Sequence, residues 1–277
     1  MTDLLTVEDL RVTYPTRQGP SEVVRGVSFS LGRERLGIVG ESGSGKSQTG
    51  RAILGLTPQP GKMTAKRLEF DGIDLRNASK TTWRSLRGAR ISMVMQDPKF
   101  SLNPVMTIGR QLVEAYRAHA STSRAEARER ALEMLAAVQI RDAVRVFGAY
   151  PHELSGGMGQ RAMIAMMLIT EPDLLIADEP TSALDVTVQI EVLRILDRLV
   201  SDRGMGLIFI SHDLRLVSSF CDRVLVMYAG RMVEEVRASE LDAARHPYTR
   251  GLYNCLPRIE GGRRPLPTLQ RDSAWAE

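Results

Sequence analysis

An α/β fold with a parallel-sheet core, an antiparallel β portion at the N-terminus and a helical insertion is what this 277-residue sequence predicts. Three observations carry that expectation. The short apolar runs Leu36-Gly37-Ile38-Val39, Leu174-Leu175-Ile176-Ala177 and Leu207-Ile208-Phe209-Ile210 have the length and composition of strands buried on both faces. Helical patterns lie between them, and strands alternating with helices indicate a parallel sheet. The N-terminal stretch instead carries short β-branched runs, some of them alternating, which suit antiparallel strands.

In chain order, the antiparallel portion reads Leu4-Leu5-Thr6-Val7 and Leu10-Arg11-Val12-Thr13-Tyr14, then after a polar turn Val23-Val24-Arg25-Gly26-Val27-Ser28-Phe29-Ser30. The run at 36–39 leads into a glycine-rich loop and a helix from Lys46. From Asp97 to about Arg161 the pattern turns helical, over 108–116 and 124–139, with Ala131, Leu132, Leu135, Ala136 and Val138 largely on one side of the second helix. Residues 97–161 therefore read as a helical insertion. An amphipathic helix is expected over 188–199. From about Arg245 the chain is rich in Pro, Gly and Arg and is expected to bury little apolar surface. The expected organisation is one domain over 1–244 and a short extension over 245–277.

Composition excludes several classes. With 43% hydrophobic and 25% charged residues the chain can bury a sizeable core. A membrane-spanning helix needs about 20 consecutive apolar residues, and the longest apolar stretch, Ala162 to Ile169, falls far short. The N-terminus has neither the basic start nor the apolar core of a secretory signal, so a cytoplasmic location is expected. Cys221 and Cys255 are too few for a disulfide framework and lack metal-binding spacing. The net charge of +4 is dispersed, with arginines beside acidic residues as in Arg128-Glu129-Arg130. That pattern is a solvated surface, not a nucleic-acid footprint.

The chemistry concentrates in a few segments. Gly40-Glu41-Ser42-Gly43-Ser44-Gly45-Lys46-Ser47 fits G-x-x-x-x-G-K-[ST] between an expected strand and helix. In such a loop the glycines let successive N–H groups converge on a phosphate, Lys46 reaches the β/γ-phosphates and the Ser47 hydroxyl ligates Mg²⁺. The apolar run ending in Asp178 delivers a carboxylate to the carboxyl end of a strand, where open α/β sheets bind ligands. Asp178 would support the metal, and the adjacent Glu179 is the candidate general base for an attacking water. Capping of a turn by Asp178-Glu179-Pro180 is the simpler role, and the phosphate loop tips the balance to function.

Leu154-Ser155-Gly156-Gly157-Met158-Gly159-Gln160 resembles the signature sequence of ABC cassettes, and with it the chain is similar to the ATP-binding subunits of that family from about residue 4 to 240. A serine hydroxyl and glycine N–H groups (Ser155, Gly156, Gly157) at a helix start make an anion site. Met158 and Gly159 depart from the usual residues there. The resemblance implies further roles. Tyr14 matches the aromatic that stacks on adenine, and Gln96 the glutamine that touches Mg²⁺ and the attacking water. Asp185, in Ser182-Ala183-Leu184-Asp185, matches the loop at the dimer interface, and His212 the switch histidine at the γ-phosphate. The catalytic set so implied is Glu179, His212 and Gln96, with Ser47, Gln96 and Asp178 around the metal and ATP with Mg²⁺ as cofactors.

Finer features resemble the bacterial peptide and nickel importer ATPases: Gln96-Asp97-Pro98, Ser101-Leu102-Asn103-Pro104, Tyr150-Pro151-His152-Glu153, and His246-Pro247-Tyr248-Thr249-Arg250. That resemblance implies uptake of di- or oligopeptides, with nickel or a metal chelate as the alternative. It also implies a related second ATPase subunit, two membrane permease subunits, an extracytoplasmic binding protein acting indirectly, no nucleic acid, and a place on the cytoplasmic face of the membrane. With Cys255 alone after the HPYT segment, no iron–sulfur centre is expected. A soluble ABC ATPase acting on ribosomes or DNA is the rival of a different class; it would carry a second cassette or a long coiled-coil insertion.

Overall fold

Residues 3–95, 101–181, 185–256 and 275 are described by the computed structural model. The chain forms two compact units, one of residues 1–77 with 208–277, the other of residues 78–207.

In the first unit, β1 (Leu5–Thr16) and β2 (Gly19–Leu31) form a long antiparallel pair running from Leu5 opposite Leu31 to Thr16 opposite Gly19. The expected antiparallel portion is thus present. Its alternation has a packing cause: Leu5, Val7, Leu10 and Val12 point inward and are buried while their neighbours stay partly wet. Three short strands complete this sheet, namely β4 (Lys62–Thr64), β5 (Arg67–Phe70) and β6 (Ile73–Asp74), with β4 and β5 both antiparallel to β1. Only Leu68 and Phe70 give them buried apolar anchors. Such brief stretches leave little periodic signal, and the sequence reading passes over them.

A second sheet in this unit places β3 (Arg35–Val39) between β10 (Arg223–Tyr228) and β9 (Gly206–Ser211). β3 and β10 are parallel, and β11 (Arg231–Arg237) turns back antiparallel to β10. Leu36, Ile38, Val224 and Val226 are buried, the continuous apolar pattern of a covered parallel sheet. Helix α1 (Lys46–Ile53) follows the glycine loop, as expected.

The second unit holds the strands β7 (Ile91–Val94) and β8 (Leu174–Asp178), which are parallel and wholly buried. Around them lie α2 (Lys80–Leu86), α3 (Ile108–Arg117), α4 (Arg124–Ala137), α5 (Ala143–Gly148), α6 (Gly156–Leu168) and α7 (Val186–Arg203). α3, α4, α5 and α6 pack on one another, so the expected helical stretch is present. On the α4 face, Ala131, Leu135 and Val138 are buried, Leu132 is half-buried and Ala136 is exposed. The helix expected over 188–199 runs longer at both ends, from the Asp185 cap to Gly204 in a left-handed conformation.

The expectation for the tail is qualified at one helix. Helix α8 (Leu214–Phe220) and, after Arg245, helix α9 (Pro247–Asn254) belong to the first unit; in α9 Tyr248 and Thr249 are fully enclosed while its other residues are half-buried or exposed. Composition averaged over the tail concealed a short amphipathic helix with Pro247 at its first turn. Among the described residues no helix is long and apolar enough to cross a membrane.

Candidate functional site

β3 is buried to its last residue, Val39, so the chain leaves the sheet at Gly40 and has to turn at once. Packing dictates glycine at that point: a Cβ on Gly40 would lie 2.1 Å from the Met227 carbonyl oxygen at the end of β10. Gly45 caps α1 with φ +100, a conformation strained for any L side chain, and its Cβ would also meet the Val23 carbonyl oxygen at 2.6 Å. The loop is braced from outside as well. The Gly230 N–H donates to the Ser44 carbonyl oxygen at 3.1 Å, and the Arg25 N–H donates to the Gly230 carbonyl oxygen at 2.7 Å.

Lys46 is only 6% exposed. Its ammonium donates to the carbonyl oxygens of Gly40 at 2.8 Å and Glu41 at 2.9 Å, so it curls back over the loop it follows. A buried ammonium is costly unless paired, and these carbonyls help to hold it in place. Ser47 is half-buried in the first turn of α1. A helix start directs its first N–H groups outward along the axis, an arrangement suited to an anion.

Two other expected residues belong to the same unit. His212 follows β9, is exposed, and lines with Val39, Gly40, Glu41 and Ser42 an open cavity of about 640 Å³. Asp213 beside it caps α8 through the N–H groups of Arg215 and Leu216. Tyr14 sits in β1; its hydroxyl donates to Gln48 Oε1 at 3.0 Å, and the bare Gly61 backbone packs on its ring edge, where a Cβ would approach to 2.6 Å.

In the second unit, Asp178 ends β8 and is 3% exposed. Glu179 follows with φ +47, a left-handed conformation uncommon for a side chain larger than glycine's. Strain of that kind collects at functional sites. Ser155 caps α6, its hydroxyl accepting from the Met158 N–H, and Asp185 caps α7 by accepting from the Val188 N–H. Ser155, Gly157 and Asp185 line one cavity of about 730 Å³ together with Arg141, Arg145, Arg161, Asp142 and Glu191; Asp142 pairs with Arg145 and Glu191 with Arg161, so the wall is of mixed charge. Gly156 and Gly159 have open space where a Cβ would be, so packing does not require glycine at either. Gln96 and residues 182–184 lie outside the described residues.

Two contacts were absent from the sequence reading. Gln160 is 1% exposed and its Nε2 donates to the Pro180 carbonyl oxygen at 2.5 Å, joining the start of α6 to the turn that carries Glu179. The Tyr248 hydroxyl accepts from the Glu41 N–H at 3.1 Å. Gln160 had no signal beyond its place at the end of the Leu154-to-Gln160 segment, and Tyr248 none beyond its place in the HPYT segment.

Among the described residues no group of three or more His, Cys, Asp and Glu side chains could hold a metal ion. Mg²⁺ takes oxygen donors and usually keeps waters and substrate phosphates, so a hydroxyl and a single carboxylate fit it without such a cluster.

A glycine loop leaving a buried parallel strand and entering a helix, with a buried lysine folded over it, defines a phosphate-loop nucleotide-binding protein. Comparison with known proteins narrows this class. The family model for ABC transporters matches residues 24–182. The probable peptide ABC transporter ATP-binding protein y4tR of Sinorhizobium fredii is 49% identical over 270 residues, covering 96% of this chain and 81% of that protein. The oligopeptide transport ATP-binding protein OppD of Escherichia coli is 46% identical over 268 residues, covering 96% and 79%. Among solved structures, a bacterial ABC transporter cassette in dimeric form superposes with a TM-score of 0.77 at 26% identity, over 84% of this chain and 98% of that one. A second, described as a post-hydrolysis state bound to ADP and Pi, gives a TM-score of 0.75 at 27% identity over the same shares. The chain belongs to the ABC transporter family, in which it is an ATPase cassette.

Proposed function

We propose that this chain is the ATP-hydrolysing subunit of a bacterial importer of di- or oligopeptides, peripheral on the cytoplasmic face of the membrane and working with a related second ATPase and two permease subunits. The observation that carries the reading is the near full-length identity, close to one residue in two, with an ATP-binding protein named for peptide transport. The cassette occupies 1–244 and the extension 245–277.

In this reading the Gly40–Ser47 loop holds the triphosphate, with Gly40, Glu41, Ser42, Gly43, Ser44 and Gly45 supplying backbone and Lys46 charge. Tyr14 stacks on adenine. Mg²⁺ would be held by Ser47, Asp178 and Gln96, all oxygen donors, and would supply positive charge against the phosphates. Glu179 accepts the proton of the attacking water while His212 and Gln96 orient the γ-phosphate end. Ser155, Gly156, Gly157 and Asp185 serve the nucleotide held by the other cassette. Two cassettes closing over two nucleotides shift the population of states in the attached permeases, and hydrolysis reverses that shift.

The test is Glu179→Gln in the assembled transporter, with the equivalent glutamate of the partner cassette also replaced. ATP binding stays within about twofold, while turnover falls by about 10²-fold or more, the size of a general-base contribution. Retained turnover would remove Glu179 from the role of base. Stimulation of the ATPase by a peptide-loaded binding protein tests the cargo, and stimulation by a nickel-loaded one instead would replace it.

A further inference from the structure

The start of the phosphate loop is gripped from two sides. From within, Lys46 donates to the carbonyl oxygens of Gly40 at 2.8 Å and Glu41 at 2.9 Å. From without, the Glu41 N–H donates to the hydroxyl oxygen of Tyr248, at 3.1 Å and 207 residues further along the chain. Tyr248 is fully buried. Its ring lies against Tyr228, with centroids 4.6 Å apart, and against Trp275 at 5.8 Å. Tyr228 is the last residue of β10, next to Met227, whose carbonyl oxygen crowds Gly40.

The helix that carries Tyr248 is itself tethered. Glu234 of β11 accepts from the Arg245 N–H at 2.6 Å and the His246 N–H at 3.2 Å, and His246 Nδ1 accepts from the Tyr248 N–H at 3.2 Å. A phenol has only two side-chain torsions, and full burial with the ring packed on Tyr228 holds both, so its oxygen is fixed before any ligand arrives.

Binding a triphosphate changes the inner grip. The Lys46 ammonium has three N–H donors, two of them engaged by these carbonyls, and a β/γ-phosphate takes up the third or competes for the others while the loop must hold its shape. The Tyr248 bond does not involve Lys46 and is not shared with the nucleotide. Preorganised donors and acceptors raise affinity because the cost of ordering the loop is met during folding.

We propose that Tyr248 is a positioning residue of the ATPase site, its hydroxyl anchoring the Glu41 peptide so that the phosphate loop keeps its binding shape independently of Lys46. This rests on the reading that the Gly40–Ser47 loop holds ATP. The C-terminal extension then reaches the nucleotide site through the Tyr248 hydroxyl.

The experiment compares wild type, Tyr248→Phe, Trp275→Ala and Lys46→Ala, as full-length chains for Mg-ATP binding and in the assembled transporter for kinetics. Tyr248→Phe keeps the ring and removes only the oxygen. It weakens ATP binding about threefold to tenfold, the range of one hydrogen bond, and raises KM for ATP to match, with kcat within twofold. Trp275→Ala, which spares the hydroxyl, changes KM less than twofold. Unaltered binding in Tyr248→Phe overturns the proposal, as does a fall in kcat at constant KM. Equal weakening in Trp275→Ala also overturns it, because ring packing would then be the cause. Lys46→Ala binding ATP as tightly as wild type would remove the loop assignment itself, an outcome separate from the failure of Tyr248 alone.

Discussion

Cys221 and Cys255 have the same thiol and opposite surroundings. Cys221 is 7% exposed; burial first, and then the negative charge of Asp222, push its thiol up to about 12, against a weaker opposing pull from Arg35. Only the thiolate is nucleophilic. At pH 8 Cys221 therefore stays protonated as well as covered. Cys255 is half-exposed and lines the cavity beside Gly40 and His212. Treating the native chain with a maleimide at pH 8 and counting adducts by mass should give one, on Cys255, with Cys221 reacting only after denaturation. Fast labelling of Cys221 in the folded chain would contradict the packing of α8. The same scale explains Glu179: a left-handed backbone directly after a buried strand turns the chain sharply, so that neighbouring carboxylates at 178 and 179 sit in different settings, one buried and one half-buried.

At the scale of elements, the sites and the helix caps are the same residues. Ser155 caps α6 and Asp185 caps α7, so a polar side chain at either place is explained by helix stability as well as by ligand binding. The two explanations separate by substitution. Ser155→Ala should cost about 1 kcal/mol of stability through the lost cap, together with ATPase activity. Ser155→Asp keeps a cap acceptor while placing a carboxylate in a pocket proposed to receive a phosphate. It is expected to melt within a degree or two of wild type, yet to lose most of the ATPase activity of the assembled transporter. Full activity in Ser155→Asp would leave the serine a helix cap only. The same local rule recurs at α4, where Ser123 and Glu126 form a reciprocal capping box.

For the whole molecule, the chemistry is divided between two compact units. Gly40–Ser47, Tyr14 and His212 belong to one, and Ser155, Asp178, Glu179 and Asp185 to the other. The signature pocket lies in the second unit, and in the proposed cycle it serves a nucleotide bound by another cassette. ATPase activity should then rise steeply with assembly: the isolated chain at high dilution turns over at a few per cent or less of the rate of the complete transporter, measured as phosphate release against protein concentration. A specific activity that stays full on dilution would break the shared-site reading.

What the sequence by itself determined is the set of parts whose physics is local. The phosphate loop is eight consecutive residues, because one curl of backbone makes the cradle. The buried strands β3, β8 and β9 are uninterrupted apolar runs, and the helix starts carry their own caps. Tertiary structure decided the rest, because those contacts join residues that share no neighbourhood in the chain. Gly40 is glycine because the Met227 carbonyl oxygen occupies the space a Cβ needs, which no count of glycines in the loop discloses. The strands β4 and β5 exist because β1 offers them a partner, and β6 because β5 does. Tyr248 sits in a tail whose composition speaks against burial, and only the folded chain brings its hydroxyl to the Glu41 N–H across 207 residues of sequence. A contact at that separation is closed by the packing of everything between its ends, so it leaves no periodicity and no motif for the sequence to display.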